Sequence, residues 1–227
     1  MKKRHFILFS FLISLLACQK EDEGEEVEVF FGYQYAPLAV GQERVFQIDS
    51  IVFDDFTGLS DTFSLQRREV IEANITTLDG KPAFRTQLFR RSNDTSNWIL
   101  VKVFEQLRSD IRFEQRIDNF PVIQLVFPLR ELSSWNANAL NTAQEEVYRY
   151  DDLHESFQLD SVSYDSTITV IQREEVNLIQ ETYTEEKYAS GLGMVYRYDE
   201  DLNLDIQSGE ITSGYKATLK MIGHNLQ

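Results

Sequence analysis

Cysteine is nearly absent: Cys18 is the only one in 227 residues. A lone thiol closes no internal disulfide, so the stapled frameworks that small secreted domains use are excluded. Histidine is almost as scarce, with only His154 and His224 beyond the first seventeen residues. Transition-metal centres usually draw on several His or Cys ligands, so that class of cofactor is not expected. Proline numbers four, and no Pro/Ser-rich linker divides the chain. Basic charge is short as well: 22 Lys and Arg stand against 37 Asp and Glu, a formal net charge of −15. Such a surface repels phosphate backbones, which sets nucleic acid aside as a partner. No apolar run reaches the roughly 20 residues that a membrane-spanning helix needs; Phe6 to Ala17 covers 12, broken only by Ser10 and Ser14.

That run follows Lys2, Lys3 and Arg4. A positive start and a short apolar stretch are the pattern of a secretory signal peptide, expected to be removed. Its end, Leu15-Leu16-Ala17-Cys18, resembles the lipobox of bacterial lipoproteins, which implies cleavage before Cys18 and acylation of its sulfur. The following Gln19-Lys20-Glu21-Asp22-Glu23 is similar to the export signal of Bacteroidota lipoproteins. That resemblance implies attachment to the outer membrane and display at the cell surface, with the periplasmic face as the alternative. The membrane is thus an expected partner, through lipid alone. One acyl chain binds a bilayer only marginally and a second makes the hold stable. Glu21, Asp22, Glu23, Glu25, Glu26 and Glu28 repel one another and read as an extended tether. The expected organisation is therefore a signal peptide over 1–17, a lipidated cysteine and tether over 18–29, and one domain over 30–227.

Hydrophobic residues make up 42% of the chain and aromatics 12%, too apolar for a disordered segment. Period-two alternation recurs: Phe46, Ile48, Ser50 and Val52 share one face, as do Tyr215, Ala217, Leu219 and Met221. Further strands are expected over 68–76, 83–91, 98–106, 111–116, 122–127, 146–151, 161–170 and 194–198, rich in β-branched and aromatic residues. Turn residues separate several of them: Asp79-Gly80-Lys81-Pro82, Ser92-Asn93-Asp94, Asn119-Phe120-Pro121 and Ser208-Gly209. The stretch 174–188 fits a helix face about as well as a strand, and the strand is preferred. The fold class is mainly β with little helix, a meandering antiparallel sheet forming a sandwich or half-barrel. Two short copies, Tyr148-Arg149-Tyr150-Asp151 and Tyr196-Arg197-Tyr198-Asp199, each place two tyrosines on one face of a strand and an arginine on the other.

Four places carry a family resemblance: Tyr35-Ala36-Pro37-Leu38-Ala39-Val40-Gly41 leading into Val45 to Ile51; Val126-Phe127-Pro128-Leu129 before Trp135-Asn136-Ala137-Asn138; Glu186-Lys187-Tyr188-Ala189; and Gly191-Leu192-Gly193-Met194-Val195-Tyr196. In these the chain resembles a group of Bacteroidota outer-membrane lipoproteins, which implies an envelope protein and no particular activity. Asp49-Ser50-Ile51, Asp160-Ser161-Val162 and Asp165-Ser166-Thr167 look like the O-glycosylation motif of exported Bacteroidota proteins. The Gly-x-Gly of residues 191–193 reads as a bulge or positive φ at a strand opening.

Chemistry is thinly signalled. Asp152, His154 and Ser156 lie close in sequence, but no strained serine elbow accompanies them, and no catalytic residue is assigned. The sharpest pattern is DEDLNLDIQSGE, in which Asp199, Asp201, Asn203, Asp205 and Glu210 occupy positions 1, 3, 5, 7 and 12 of a calcium-loop template. Against a bound Ca2+, Leu204 stands where the turn calls for glycine, and the same residues suit a hairpin loop. The function expected is a lipid-anchored, non-enzymatic envelope protein with a binding or structural role. A carrier of an apolar ligand in a curved-sheet cavity is one alternative, and a carboxylate-based enzyme acting on glycans is another.

Overall fold

The computed structural model describes residues 31–226, so Cys18, the signal peptide and the acidic tether lie outside the described residues. A single turn of 3-10 helix at Tyr33–Tyr35 precedes twelve strands. They are β1 Glu43–Phe53, β2 Ser60–Thr76, β3 Pro82–Arg91, β4 Ile99–Arg108, β5 Arg112–Ile117, β6 Phe120–Val126, β7 Ser134–Asn136, β8 Val147–Leu159, β9 Val162–Val176, β10 Gln180–Ala189, β11 Gly193–Leu204 and β12 Ile211–His224. All the strands expected from period and composition are present. The doubtful stretch 174–188 is the end of β9, a turn and most of β10.

Every neighbouring pair in the sheet is antiparallel, and the order β6-β5-β4-β3-β2-β1-β12-β11-β10-β9-β8-β7 is a meander broken at one place. There β1 pairs with β12, joining β1–β6 to β7–β12 in one sheet. The architecture is therefore one sheet curled toward closure, not two stacked sheets. Its two edges, β6 and β7, are stitched together by a few bonds. Ile123 N–H donates to the Ala137 carbonyl at 2.9 Å, and Trp135 Nε1 donates to the Ile123 carbonyl at 3.0 Å. The Tyr150 hydroxyl accepts from Val126 N–H and donates to the Val126 carbonyl, at 3.0 and 2.8 Å. These partners occupy backbone groups that an edge strand would otherwise leave open for association. Pro121, which cannot donate to a ladder, sits on that same edge strand.

The larger core lies where the edges meet, with Trp135, Tyr148 and Tyr150 packed against Leu125, Ile168 and Val170. A second core joins Phe46, Val195, Leu219 and Met221 to Leu159 and Tyr164 of the β8–β9 hairpin. Three register shifts between Tyr150 and Phe157 bring that hairpin there. Each bulge bends and twists its strand, and His154, at φ 64°, lies within the bent stretch.

Turn chemistry follows the sequence with one displacement. The β5–β6 turn is Asp118-Asn119, both left-handed at φ 52° and 60°, the requirement of a two-residue hairpin. The expected turn one residue further on is instead the start of β6. Gly191 and Gly193 take φ of 78° and 81°, as a Gly-x-Gly at a strand opening requires.

Candidate functional site

The molecule has two unlike ends. At one end the N-terminal segment enters and is fastened down. Arg108 Nη1 donates to the carbonyls of Tyr33 and Ala36, Gly191 N–H to the Gln34 carbonyl, and the Tyr33 hydroxyl to the Asp110 carbonyl. Tyr35 is fully buried, its hydroxyl 2.8 Å from His154 Nδ1 and 2.7 Å from Ser166 Oγ. Beside this segment an open cleft of about 650 Å3 lies between the bent β8–β9 hairpin and the end of β12. Tyr164, Leu192 and Met221 give it apolar walls, and Asp160, Ser163 and His224 a polar rim.

The opposite end is formed by the tips of three neighbouring hairpins, β9–β10, β11–β12 and β1–β2, adjacent because β10 pairs with β11 and β12 with β1. Two of these tips share one construction. In the loop 54–59, the Oδ1 of Asp54 accepts the N–H groups of Phe56 and Thr57, and Gly58 N–H donates to the Asp54 carbonyl. In 205–210, Asp205 Oδ1 accepts those of Gln207 and Ser208, and Gly209 N–H donates to the Asp205 carbonyl. Gly58 and Gly209 take φ of 68° and 73°. Both loops read Asp-x-x-Thr/Ser-Gly-x, and side-chain capping of two successive N–H groups is why aspartate opens each.

This construction fixes where the five expected calcium ligands stand. Asp199, Asp201 and Asn203 are successive same-face residues of β11, strung along the strand instead of wrapped around a point. Asp199 is held by Arg197 and Thr184, Asp201 by Gln180, and Asn203 by Ser213. Asp205 caps its loop, and Glu210 closes the same loop through its backbone carbonyl. The five residues are not brought together. Among the described residues no group of three or more His, Cys, Asp and Glu is placed to hold a metal ion. Asp152, His154 and Ser156 all lie on the bent part of β8, and it is Ser166 of β9 that His154 meets, through Tyr35. Of the other serines in the glycosylation-like motifs, Ser50 is half-buried on β1 and Ser161 is exposed in the β8–β9 turn.

The two Tyr-Arg-Tyr-Asp copies face opposite ways. Register runs from Tyr150 to Val170, from Val170 to Glu186 and from Glu186 to Arg197, so Tyr150 and Arg197 share the inner face. In β8 the tyrosines fill the core and Arg149 turns out to Asp151 and Glu174. In β11 the arginine turns in. Arg197 Nη1 lies 2.6 Å from Glu186 Oε1 and 3.0 Å from Gln172 Oε1, and Nη2 lies 3.0 Å from Asp199 Oδ2. Tyr188 donates to the other oxygen of Glu186 at 2.5 Å, and Thr184 to that of Asp199 at 2.9 Å. A second buried carboxylate, Glu69, sits between Arg44 and Arg67. Burial pushes its carboxyl up, but Arg67 and Arg44 outweigh that and hold it below the usual range. In both places guanidinium groups clamp the acids and hold them in fixed positions.

Nine of the ten tyrosines have their phenol pushed above the ordinary value of 10, burial being the leading cause in each. A raised folded-state pKa contributes stability that is complete below pH 10 and is lost as pH climbs through the folded values. The fold should therefore come apart in alkali, with phenolate absorbance rising together with loss of the β circular-dichroism signal. Phenolate titrating near pH 10 in an intact sheet would contradict this assignment of buried, neutral phenols.

No family model matches the chain, and no curated protein matches it. One solved structure does: a protein of YmcC-like fold from Bacteroides fragilis NCTC 9343, described as an inferred exported protein. It is 8% identical with a TM-score of 0.36, covering 87% of this chain and 99% of that one.

Proposed function

We propose that the chain is a lipid-anchored, non-enzymatic binding protein of the outer membrane, displayed at the cell surface and held there through Cys18. The observation that carries this reading is the opposition of the two ends. The N-terminal segment is fastened beside Asp110 and Gly191, and β1 then runs 11 residues, about 35 Å, away from it. At the far end stand hairpin tips with large apolar side chains in solvent: Phe56 is 94% exposed and Leu178 76%. An N-terminal segment fastened at one end and an apolar crest at the other suit a module that presents a docking surface away from its membrane. The clamped state of Glu186, Asp199 and Glu69 favours this reading over a carboxylate-based hydrolase. The carrier reading draws support only from the open cleft between the β8–β9 hairpin and the end of β12, because the inner face near the sheet edges is filled by core side chains.

Mass spectrometry of the protein from cell envelopes, with protease shaving of whole cells, tests the address. The expected result is a chain beginning at residue 18 with an acylated cysteine, lost on shaving. A chain retaining Met1, or an unmodified Cys18, would overturn it.

A further inference from the structure

The crest has a definite chemistry. Val176, Leu178 and Ile179 stand on the β9–β10 tip, Ile206 on the β11–β12 tip, and Phe56 and Leu59 on the β1–β2 tip; all six are more than half exposed. Large apolar side chains exposed together on three neighbouring hairpin tips mark an interaction surface. The three tips with their flanks, residues 53–63, 176–182 and 203–212, carry six carboxylates: Asp54, Asp55, Asp61, Glu181, Asp205 and Glu210. They carry no Lys, Arg or His. Two of the six, Asp54 and Asp205, are committed to their loops. Asp55, Asp61 and Glu210 are exposed and form no ion pair among the described residues. An apolar ridge bordered by acids alone repels anionic headgroups and repels a second copy of itself. It attracts a partner that is greasy and positive together.

We infer that the distal crest docks a cationic, amphipathic polypeptide segment. Its apolar side chains lie between the hairpin tips, and its Lys and Arg meet Asp55, Asp61 and Glu210. This deepens the binding role proposed above and rests on the crest being the docking end.

The test uses the full chain held in phosphatidylcholine nanodiscs and three dye-labelled synthetic peptides of equal length, built from Leu and Lys, Leu and Glu, or Ser and Lys, read by fluorescence anisotropy. The Leu/Lys peptide should bind, more weakly as salt rises, and the other two should bind at least about tenfold less well, a difference of about 1.4 kcal/mol. The crest variant Phe56→Ser/Leu59→Ser/Ile206→Ser should lose the Leu/Lys peptide by about tenfold. So should Asp55→Asn/Asp61→Asn/Glu210→Gln, which spares the two capping aspartates. The same number of charges removed at the other end, by Asp110→Asn/Asp152→Asn/Glu155→Gln, should leave binding within about twofold. All of these side chains are exposed, so the variants should keep the parent's thermal midpoint.

Equal loss from both charge variants would reduce the effect to net charge and overturn the proposal. Binding of the Leu/Glu peptide at the crest would overturn the cationic partner while the crest remains a docking end. Crest-dependent clustering of the nanodiscs without peptide would reassign the site to lipid. Binding of every peptide untouched by the Ser variant would remove the crest as the docking end altogether.

Discussion

Replacing Arg197 with methionine should lower the stability of the fold by about 3–5 kcal/mol, the usual cost of breaking a buried ion pair from one side. The cost arises because Glu186, 6% exposed, keeps its charge and loses its partner. Tyr188 is then its only hydrogen bond, while Asp199 retains Thr184. For a domain of this size the thermal midpoint should fall by about 6–20 °C, at about 2–4 °C per kcal/mol. Arg197→Lys should recover only part of the loss, because an ammonium group cannot span both carboxylates and Gln172 as the planar fork does. Adding Glu186→Gln and Asp199→Asn to Arg197→Met should restore most of it, since the stranded charges are then gone. An Arg197→Met protein within about 1 kcal/mol of the parent in urea denaturation would show that the cluster is solvated and the clamp idle.

That cluster shows where sequence reading stops. The strands were legible because period two is a local property, written in Phe46, Ile48 and Val52 or in Ala217, Leu219 and Met221. Which way a strand faces is a global one. Tyr148-Arg149-Tyr150-Asp151 and Tyr196-Arg197-Tyr198-Asp199 are the same four residues, yet one buries its tyrosines and the other turns its half-buried arginine toward Glu186. Only the register carried across β9 and β10, bulges included, decides the matter. Closure of the sheet was hidden for the same reason. The contacts of Tyr150 with Val126 and of Trp135 with Ile123 join edges that meet only once all twelve strands are in place.

The crest was partly legible. Asp205 and Glu210 stood out as oxygen donors at calcium-loop spacing, but the same aspartate, three residues before a Ser-Gly, opens a capped hairpin loop. The second copy at Asp54, with Thr57-Gly58, was the available signal, since two loops of one pattern 151 residues apart argue for turn chemistry over a metal. The lipid anchor and tether rest on sequence alone, outside the described residues.

Gly214→Ala should be as damaging as the loss of Arg197, although it removes no interaction. Gly214 lies in β12, opposite Phe53 of β1 and Leu202 of β11, at a φ of +121°. That backbone conformation is strained for any residue with a side chain, at about 1–3 kcal/mol. A methyl group there would also lie 2.0 Å from the Asp201 carbonyl oxygen and 2.9 Å from Leu202 Cα. These are backbone atoms of a paired strand and cannot swing aside, so relief requires β11 to shift, at a further cost of about 1–3 kcal/mol. The expected total is about 2–6 kcal/mol in urea denaturation, with hydrogen exchange accelerated first along β1, β11 and β12. The position matters because β1 and β12 form the one pairing that unites the two halves of the meander. Gly58→Ala and Gly209→Ala provide the comparison: both are left-handed, yet a methyl at either meets nothing within 4 Å. Each should cost only the conformational penalty of about 1–2 kcal/mol, with exchange changed at its own hairpin tip alone. If Gly214→Ala proves no worse than these two, the close approach of the β11 backbone to Gly214 does not constrain β12.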